Sequence, residues 1–205
     1  MFIGVLQTNR RLSRADIRTM EPNYERLEVE IGPGNCRYLR RAAVRQPCAL
    51  FIGCETRSST IEAALRNGPL PANVRVLHTD GRWVVENLLG PECVDAYHLY
   101  FPDPWWKKRH HKRRLLRPSF ARAVADTLMP GACVYFMSDV AATYAQAQTS
   151  FLDAGLQRLE WERDTREDAC SSYESKYRRQ GRRLYQARFL RPARSAASRQ
   201  ADGRP

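Results

Sequence analysis

The sequence predicts an α/β protein: a seven-stranded, mostly parallel sheet with helices on both faces and an antiparallel hairpin at one edge. Three observations predict it. Short apolar runs alternate with segments of helical period about ten residues long, the pattern of parallel strands covered on both faces. The last two runs, 156–161 and 184–190, have no helical pattern between them and so read as an antiparallel edge pair. The 205 residues, 43% of them hydrophobic, can fill one core without disulfide or metal staples.

In chain order, residues 1–24 are polar, carry Arg10, Arg11, Arg14 and Arg18, and end at the turn signal Glu-Pro-Asn. They read as an N-terminal arm with one short helix. The main domain is expected over 25–192. Its first strand, 27–31, is Leu-Glu-Val-Glu-Ile, followed by a helix over 35–45. The second, 49–54, is the unbroken run Ala-Leu-Phe-Ile-Gly-Cys, followed by a helix over 57–66. A third strand at 74–78 precedes a helix over 82–88, and a fourth, aromatic-rich one at 94–101 precedes a helix over 118–128. A fifth strand at 132–137 and a helix over 140–154 complete the alternating part. Residues 193–205 are Ser, Ala, Arg and Gly without apolar period and read as a disordered basic tail.

The net charge of +12 comes from 34 Lys and Arg against 22 Asp and Glu, and it is unevenly placed. Residues 107–117 hold seven bases and no acid; residues 176–205 hold ten bases and one acid, Asp202. Elsewhere acids outnumber bases, 21 to 17, which excludes a uniformly basic, histone-like chain. A mildly acidic body with two cationic segments points to a domain that docks a polyanion in one place. No stretch approaches the roughly 20 apolar residues of a membrane span. The start, Met-Phe-Ile-Gly-Val-Leu, is too short an apolar run for a signal peptide, with its charges in the wrong order. Cys36, Cys48, Cys54, Cys93, Cys133 and Cys170 are scattered without a C-x-x-C pair, so a reduced, cytoplasmic protein is expected.

In an open parallel sheet, ligands bind beyond the carboxyl ends of the strands. Those ends carry Glu30 with the Gly32–Gly34 turn, then Glu55, Asp80, Asp103 and Asp139. A bare G-x-G also serves simply as a tight strand-to-helix turn. Arg37 occupies the third glycine position of a dinucleotide fingerprint, which argues against a nicotinamide-dependent oxidoreductase. Glu55 suits ribose hydroxyls and Asp80 an adenine amino group. Each acid alone could be an exposed loop acid or a helix cap; together they favour an adenosyl pocket. The fourth strand runs into Pro102-Asp103-Pro104-Trp105-Trp106 and then into the first basic window. The prolines restrict the backbone around Asp103, the indoles can stack an unpaired base, and the cations can track phosphates. A Pro-rich turn before a solvated basic helix is the plainer reading. His110 and His111 point about 100° apart on a helix and have no third ligand, so no metal is expected. Tyr97, Tyr100 and Phe101 read as core residues of the strand.

Residues 100–114, Tyr-Phe-Pro-Asp-Pro-Trp-Trp-Lys-Lys-Arg-His-His-Lys-Arg-Arg, resemble the signature F-F-P-D-P-W-x-K-x-R-H-x-K-R-R of the bacterial (TrmB-type) tRNA (guanine-N7)-methyltransferase family. Leu27–Gly34 is similar to that family's L-E-I-G-x-G loop, 51–55 to its F-x-G-I-E strand, and 78–80 to its third-strand acid. Met137-Ser138-Asp139 is similar to its T-D segment, Ser171-Ser172-Tyr173-Glu174 to its T-x-F-E segment, and Arg11-Leu12-Ser13 to an R-L-T arm. The resemblance implies a Rossmann-like class I fold and methyl transfer from S-adenosyl-L-methionine to N7 of a tRNA guanine, guanine 46 of the variable loop. It implies Glu30, Gly32, Gly34, Glu55, Asp80 and Asp103 at the cofactor, with Asp103 also catalytic. It places Lys107, Asp139, Ser171, Ser172, Tyr173 and Glu174 at the target guanine. Arg109, His110, His111, Lys112, Arg113 and Arg114 would grip the RNA. A monomer or weak homodimer with tRNA as partner is expected.

Three departures stand out. Cys36 replaces a glycine and is expected to narrow the cofactor loop, Ser171 replaces threonine, and the arm is short. They keep an alternative open, a noncatalytic or weakly active RNA-binding relative with an impaired cofactor site.

Overall fold

β1 (Arg26–Ile31) is the third strand of a seven-stranded sheet in the order β3-β2-β1-β4-β5-β7-β6. The computed structural model describes residues 10–105, 109, 114–161 and 171–193. β2 (Ala49–Glu55), β3 (Val74–His78), β4 (Val94–Tyr100) and β5 (Leu128–Ser138) run parallel to β1, whereas β7 (Tyr185–Leu190) is antiparallel to both β5 and β6 (Gln157–Leu159). The helices are α1 (Arg14–Met20), α2 (Arg37–Arg45), α3 (Ser58–Arg66), α4 (Gly81–Trp83), α5 (Pro118–Thr127), α6 (Ala141–Asp153) and α7 (Ser172–Arg179). The expected mixed sheet with its antiparallel edge is therefore present.

Four local differences stand out. β5 starts at Leu128 rather than 132, and a register shift against β4 between Val94 and Ala96 absorbs Pro130, which cannot donate to a ladder. β6 is only three residues long. The helix expected over 82–88 is α4 continued by a π turn, Val84–Leu88, closed by Leu89 N donating to Val84 O at 3.0 Å. Between the edge strands, where no helix is expected, α7 forms on polar grounds. The Ser171 hydroxyl accepts from Glu174 N at 3.1 Å, and Glu174 pairs with Arg178 one turn on at 2.7 Å.

β1 divides its side chains between two faces. Leu27 and Val29 join the main core with Ile52, Leu99, Phe120 and Phe136. Glu28 and Glu30 face the other side, both 3% exposed. Glu28 is satisfied there: His98 Nε2 lies 2.9 Å from its Oε2 and 3.0 Å from the Tyr38 hydroxyl, while His98 Nδ1 lies 3.0 Å from the Tyr100 hydroxyl. Tyr135 stacks on the His98 ring, centroids 5.2 Å apart.

The arm is clasped to the amino ends of the strands. Leu12 N donates to Leu88 O at 2.7 Å and Gly90 N donates to Leu12 O at 2.8 Å. A Cβ on Gly90 would stand 2.7 Å from that Leu12 oxygen, so the approach requires glycine. Leu12 and Ile17 are buried in the main core. Arg14 pairs with Asp95 at 2.9 Å, Arg11 with Asp126 at 3.2 Å, Arg75 with Glu21 at 2.9 Å and Arg191 with Glu92 at 2.9 Å. All four pairs lie at the end of the sheet opposite the strand carboxyl ends.

Candidate active site at the carboxyl ends of the strands

Parallel register aligns the strand ends. Ile31 is opposite Cys54 and Glu55 opposite His78; beyond them Gly32 N donates to Cys54 O and Thr79 N to Glu55 O, each at 2.9 Å. Gly32, Glu55 and Asp80 thereby meet at one wall of a cavity of about 770 Å³, which Asp103, Trp105, Arg114, Ser172 and Tyr173 complete. Gly32 and Gly34 adopt φ of 74° and 55°, with open space where a side chain would stand. The wall there is bare backbone, as close approach of a ligand requires. Glu55 is buried, and its Oε1 carries both internal bonds, from Arg57 N at 3.0 Å and Thr56 Oγ1 at 3.5 Å. Asp80 caps α4 by accepting from Arg82 N at 2.9 Å, and its side chain remains 53% exposed.

Two residues expected at the cofactor loop do not line the cavity. Glu30 sits beneath the turn, where burial pushes its carboxyl up to about 8 and Oε2 has no hydrogen-bond partner among the described residues. Cys36 takes φ 59° and ψ 22°, the conformation a glycine there would favour, and packs with Leu39, Ala42 and Phe51. It does not line the cavity, so its side chain does not narrow the opening there. Burial, reinforced by Glu30, pushes its thiol up to about 11.

The Pro102-Asp103-Pro104 loop is bracketed by two non-glycine residues in the left-handed region, Phe101 at φ 54° and Trp105 at φ 46°. Such positions cost on the order of 1 kcal/mol each and concentrate at functional sites. Phe101 N donates to Met137 O at 2.8 Å, and Arg114 Nε donates to Pro104 O at 3.0 Å. The loop is thus tied at both ends and presents an exposed Asp103 to the cavity. Arg114 lines the cavity and steadies this loop, a use its place in the basic window does not announce. Tyr97 and Tyr100 are buried as expected, but Phe101 turns out of the strand and lines the cavity. Its ring lies 6.3 Å from Tyr173 and 5.3 Å from Tyr177.

On the α7 side, Ser172 and Tyr173 line the cavity and Ser171 serves as cap. Glu174 does not line it: its carboxylate is fully buried and paired with Arg178. Asp139 pairs with Arg182 at 2.7 Å, and that guanidinium lies 4.6 Å over the Tyr177 ring. Arg109 is exposed, whereas Lys107, His110, His111, Lys112 and Arg113 lie outside the described residues. Asn35, Thr56 and Tyr177 are additions from the structure. Tyr177 follows Tyr173 by four residues, a signal readable only once α7 is recognised as a helix. Among the described residues no three His, Cys, Asp or Glu side chains converge as metal ligands do, and no helix is long and apolar enough to cross a membrane.

These residues fit S-adenosylmethionine. The bare Gly32–Gly34 turn would admit its methionine end, Glu55 and Asp80 would supply acceptors for ribose hydroxyls and the adenine amino group, and Glu30 Oε2, under the turn, has no hydrogen-bond partner among the described residues. The fold agrees. The 16S rRNA methyltransferase KamB superposes with TM-score 0.61 at 16% identity over 92% of this chain and 97% of that one. A 16S rRNA (adenine(1408)-N(1))-methyltransferase with cosubstrate SAM from Catenulisporales acidiphilia gives 0.60 at 18% identity over 88% and 92%. A family model described as "Putative methyltransferase" matches residues 25–187. Among curated proteins, the tRNA (guanine-N(7)-)-methyltransferase of Thermus thermophilus is 32% identical over 167 residues, 80% of this chain and 54% of that one. The enzyme of the same name from Cupriavidus necator is 38% identical over 113 residues, 54% and 43%. The chain thus spans about half the length of these two relatives. That of Myxococcus xanthus is 30% identical over 179 residues, covering 82% of this chain and 84% of its own. With a match of that extent on both sides, and the family model running through every strand end that walls the cavity, the chain belongs to the tRNA (guanine-N7)-methyltransferase family.

Proposed function

We propose that this chain transfers a methyl group from S-adenosyl-L-methionine to N7 of a guanine in tRNA, at guanine 46 of the variable loop. The observation that carries this reading is the meeting of the bare Gly32–Gly34 turn, Asp103 and Tyr173 on one cavity. When bound, S-adenosylmethionine supplies an electrophilic sulfonium methyl group. Guanine N7 has a lone pair and no proton, so no general base is needed, and the work left to the protein is placement. The exposed Asp103 carboxylate accepts from guanine N1–H and the 2-amino group. This fixes the base edge and offsets the positive charge that develops on the purine. Adenine lacks that pair of donors, which supplies specificity. Phe101 and Tyr173 provide ring faces for the unstacked base, and Arg109 and its basic neighbours hold the RNA backbone. Action in the cytoplasm, as a monomer or weak homodimer, belongs to the same reading. Cys36 does not line the cavity, which supports this reading over that of a relative with an impaired cofactor site.

The test combines N7-methylguanosine mapping in tRNA from a deletion strain, with and without the restored gene, and a tritiated-methyl assay on purified protein. Asp103→Ala is expected to lower turnover at least about 100-fold with the unfolding midpoint unchanged. Wild-type-like turnover in this variant would overturn the assignment.

A further inference from the structure

α7 and the turn after it carry Lys176, Arg178, Arg179, Arg182 and Arg183, and the structure sorts them into two sets. Arg178 is held by the buried Glu174 and Arg182 by Asp139, each at 2.7 Å. The others meet only neutral groups among the described residues. The Lys176 ammonium lies 5.8 Å from the Tyr177 ring, Arg179 Nε donates to Ser175 O at 3.3 Å, and the Arg183 guanidinium lies 5.2 Å over Tyr185. A fourth cation joins them from α2: Arg37 donates to Ser175 Oγ at 3.2 Å. All three α7-side cations are exposed.

We infer that Arg37, Lys176, Arg179 and Arg183 form the surface that receives the phosphate backbone beside the target nucleotide; this rests on the tRNA reading above. Position supports it. Tyr173 lines the cavity, and Lys176 follows it by three residues, about 5 Å of helix rise. A phosphate at Lys176 is therefore next to a base at Tyr173. Cations at the last turn of α7 would also complement the helix dipole, but that does not account for Arg37. It opens α2, where the dipole disfavours a cation and no acid stands in the first turn. Neutral contacts that orient a cation without discharging it leave its full charge for a polyanion.

The experiment measures binding of bulk tRNA to the full chain against salt concentration, for wild type and for the quadruple variant R37Q/K176Q/R179Q/R183Q. The slope of log affinity against log salt is expected to fall in magnitude by about 3, at roughly 0.7 to 0.9 for each of the four lost phosphate contacts. S-adenosylhomocysteine affinity by calorimetry should not change, which shows that the variant is folded. The charge-conserving R37K/K176R/R179K/R183K should keep the wild-type slope. An unchanged slope in the neutral variant, while wild type binds and methylates tRNA, overturns this surface and leaves the functional reading standing. A wild type that neither binds nor methylates tRNA overturns both.

Discussion

Ser172 donates its hydroxyl to Oδ1 of Asn35 at 3.2 Å, joining positions 137 residues apart. The same oxygen accepts from Arg37 N at 3.3 Å, so the glycine turn of the cofactor wall and the first turn of α7 share one acceptor. A hydrogen bond of this kind nets about 0.5–1.5 kcal/mol, and an exposed one lies at the low end. Ser172→Ala should therefore lower the unfolding midpoint by no more than a few degrees. It should leave S-adenosylhomocysteine affinity intact and reduce kcat/KM for tRNA by up to about tenfold, as calorimetry and steady-state kinetics would read.

Glu28 and Glu30, two residues apart on β1, titrate in opposite directions. Burial alone would raise Glu28, but the hydrogen bond and charge of His98, with Arg26 behind them, bring it below its ordinary 4.5. Its stabilisation is present above the unfolded value and disappears as pH falls through the lowered folded one. Glu30 is raised by burial to about 8. Between about pH 4.5 and 8 the unfolded chain releases a proton that the folded chain keeps, so stability falls as pH rises and then levels. In denaturant unfolding from pH 4 to 9, Glu30→Gln should gain on wild type as pH rises, by on the order of a few kcal/mol at pH 8. Glu28→Gln should be less stable than wild type near pH 7 and converge with it in acid.

Tyr173 offers a ring face that is 45% exposed, backed by Phe101 and Tyr177. Base stacking is worth about 1–3 kcal/mol, so Tyr173→Ala should raise KM for tRNA by roughly 5- to 100-fold, and Tyr173→Phe should restore it. Loss in the phenylalanine variant would mean that the hydroxyl, rather than the ring, carries the role.

Cys36→Gly removes a buried side chain but relieves a left-handed residue. Terms of about 1 kcal/mol on each side leave stability within about 1 kcal/mol of wild type. S-adenosylhomocysteine affinity should be equal in the two proteins. A large gain in the glycine variant would revive the idea of a narrowed cofactor loop.

The parallel strands are legible because a short run such as Ala-Leu-Phe-Ile-Gly-Cys, buried along its whole length, is the pattern of a strand covered on both faces. The acids at the strand ends follow from register, which brings Glu55 and Asp80 together once the strands pair in parallel. α7 is not legible from apolar period, since the one residue it buries is Glu174. Its sequence signal is instead the Ser-x-x-Glu capping pattern at 171–174. That same carboxylate is fully buried and paired with Arg178, four residues on, a partner that residue type alone does not announce. Phe101 misleads in the opposite sense, because the apolar strand gives no sign that its last aromatic leaves at positive φ.

The clasp at the amino ends of the strands does more than anchor the arm. Arg11, Arg14, Arg75 and Arg191 each stand against a carboxylate there, while Lys176, Arg179 and Arg183 beside the cavity meet none among the described residues. Among the described residues, charge is thus polarised along the strand direction, which adds an electric moment to their net charge. A polyanion approaching through solvent exerts a torque on such a body and turns its cavity end forward before any surface touches. Docking orientation is then set at long range, by where the arginines have already been neutralised.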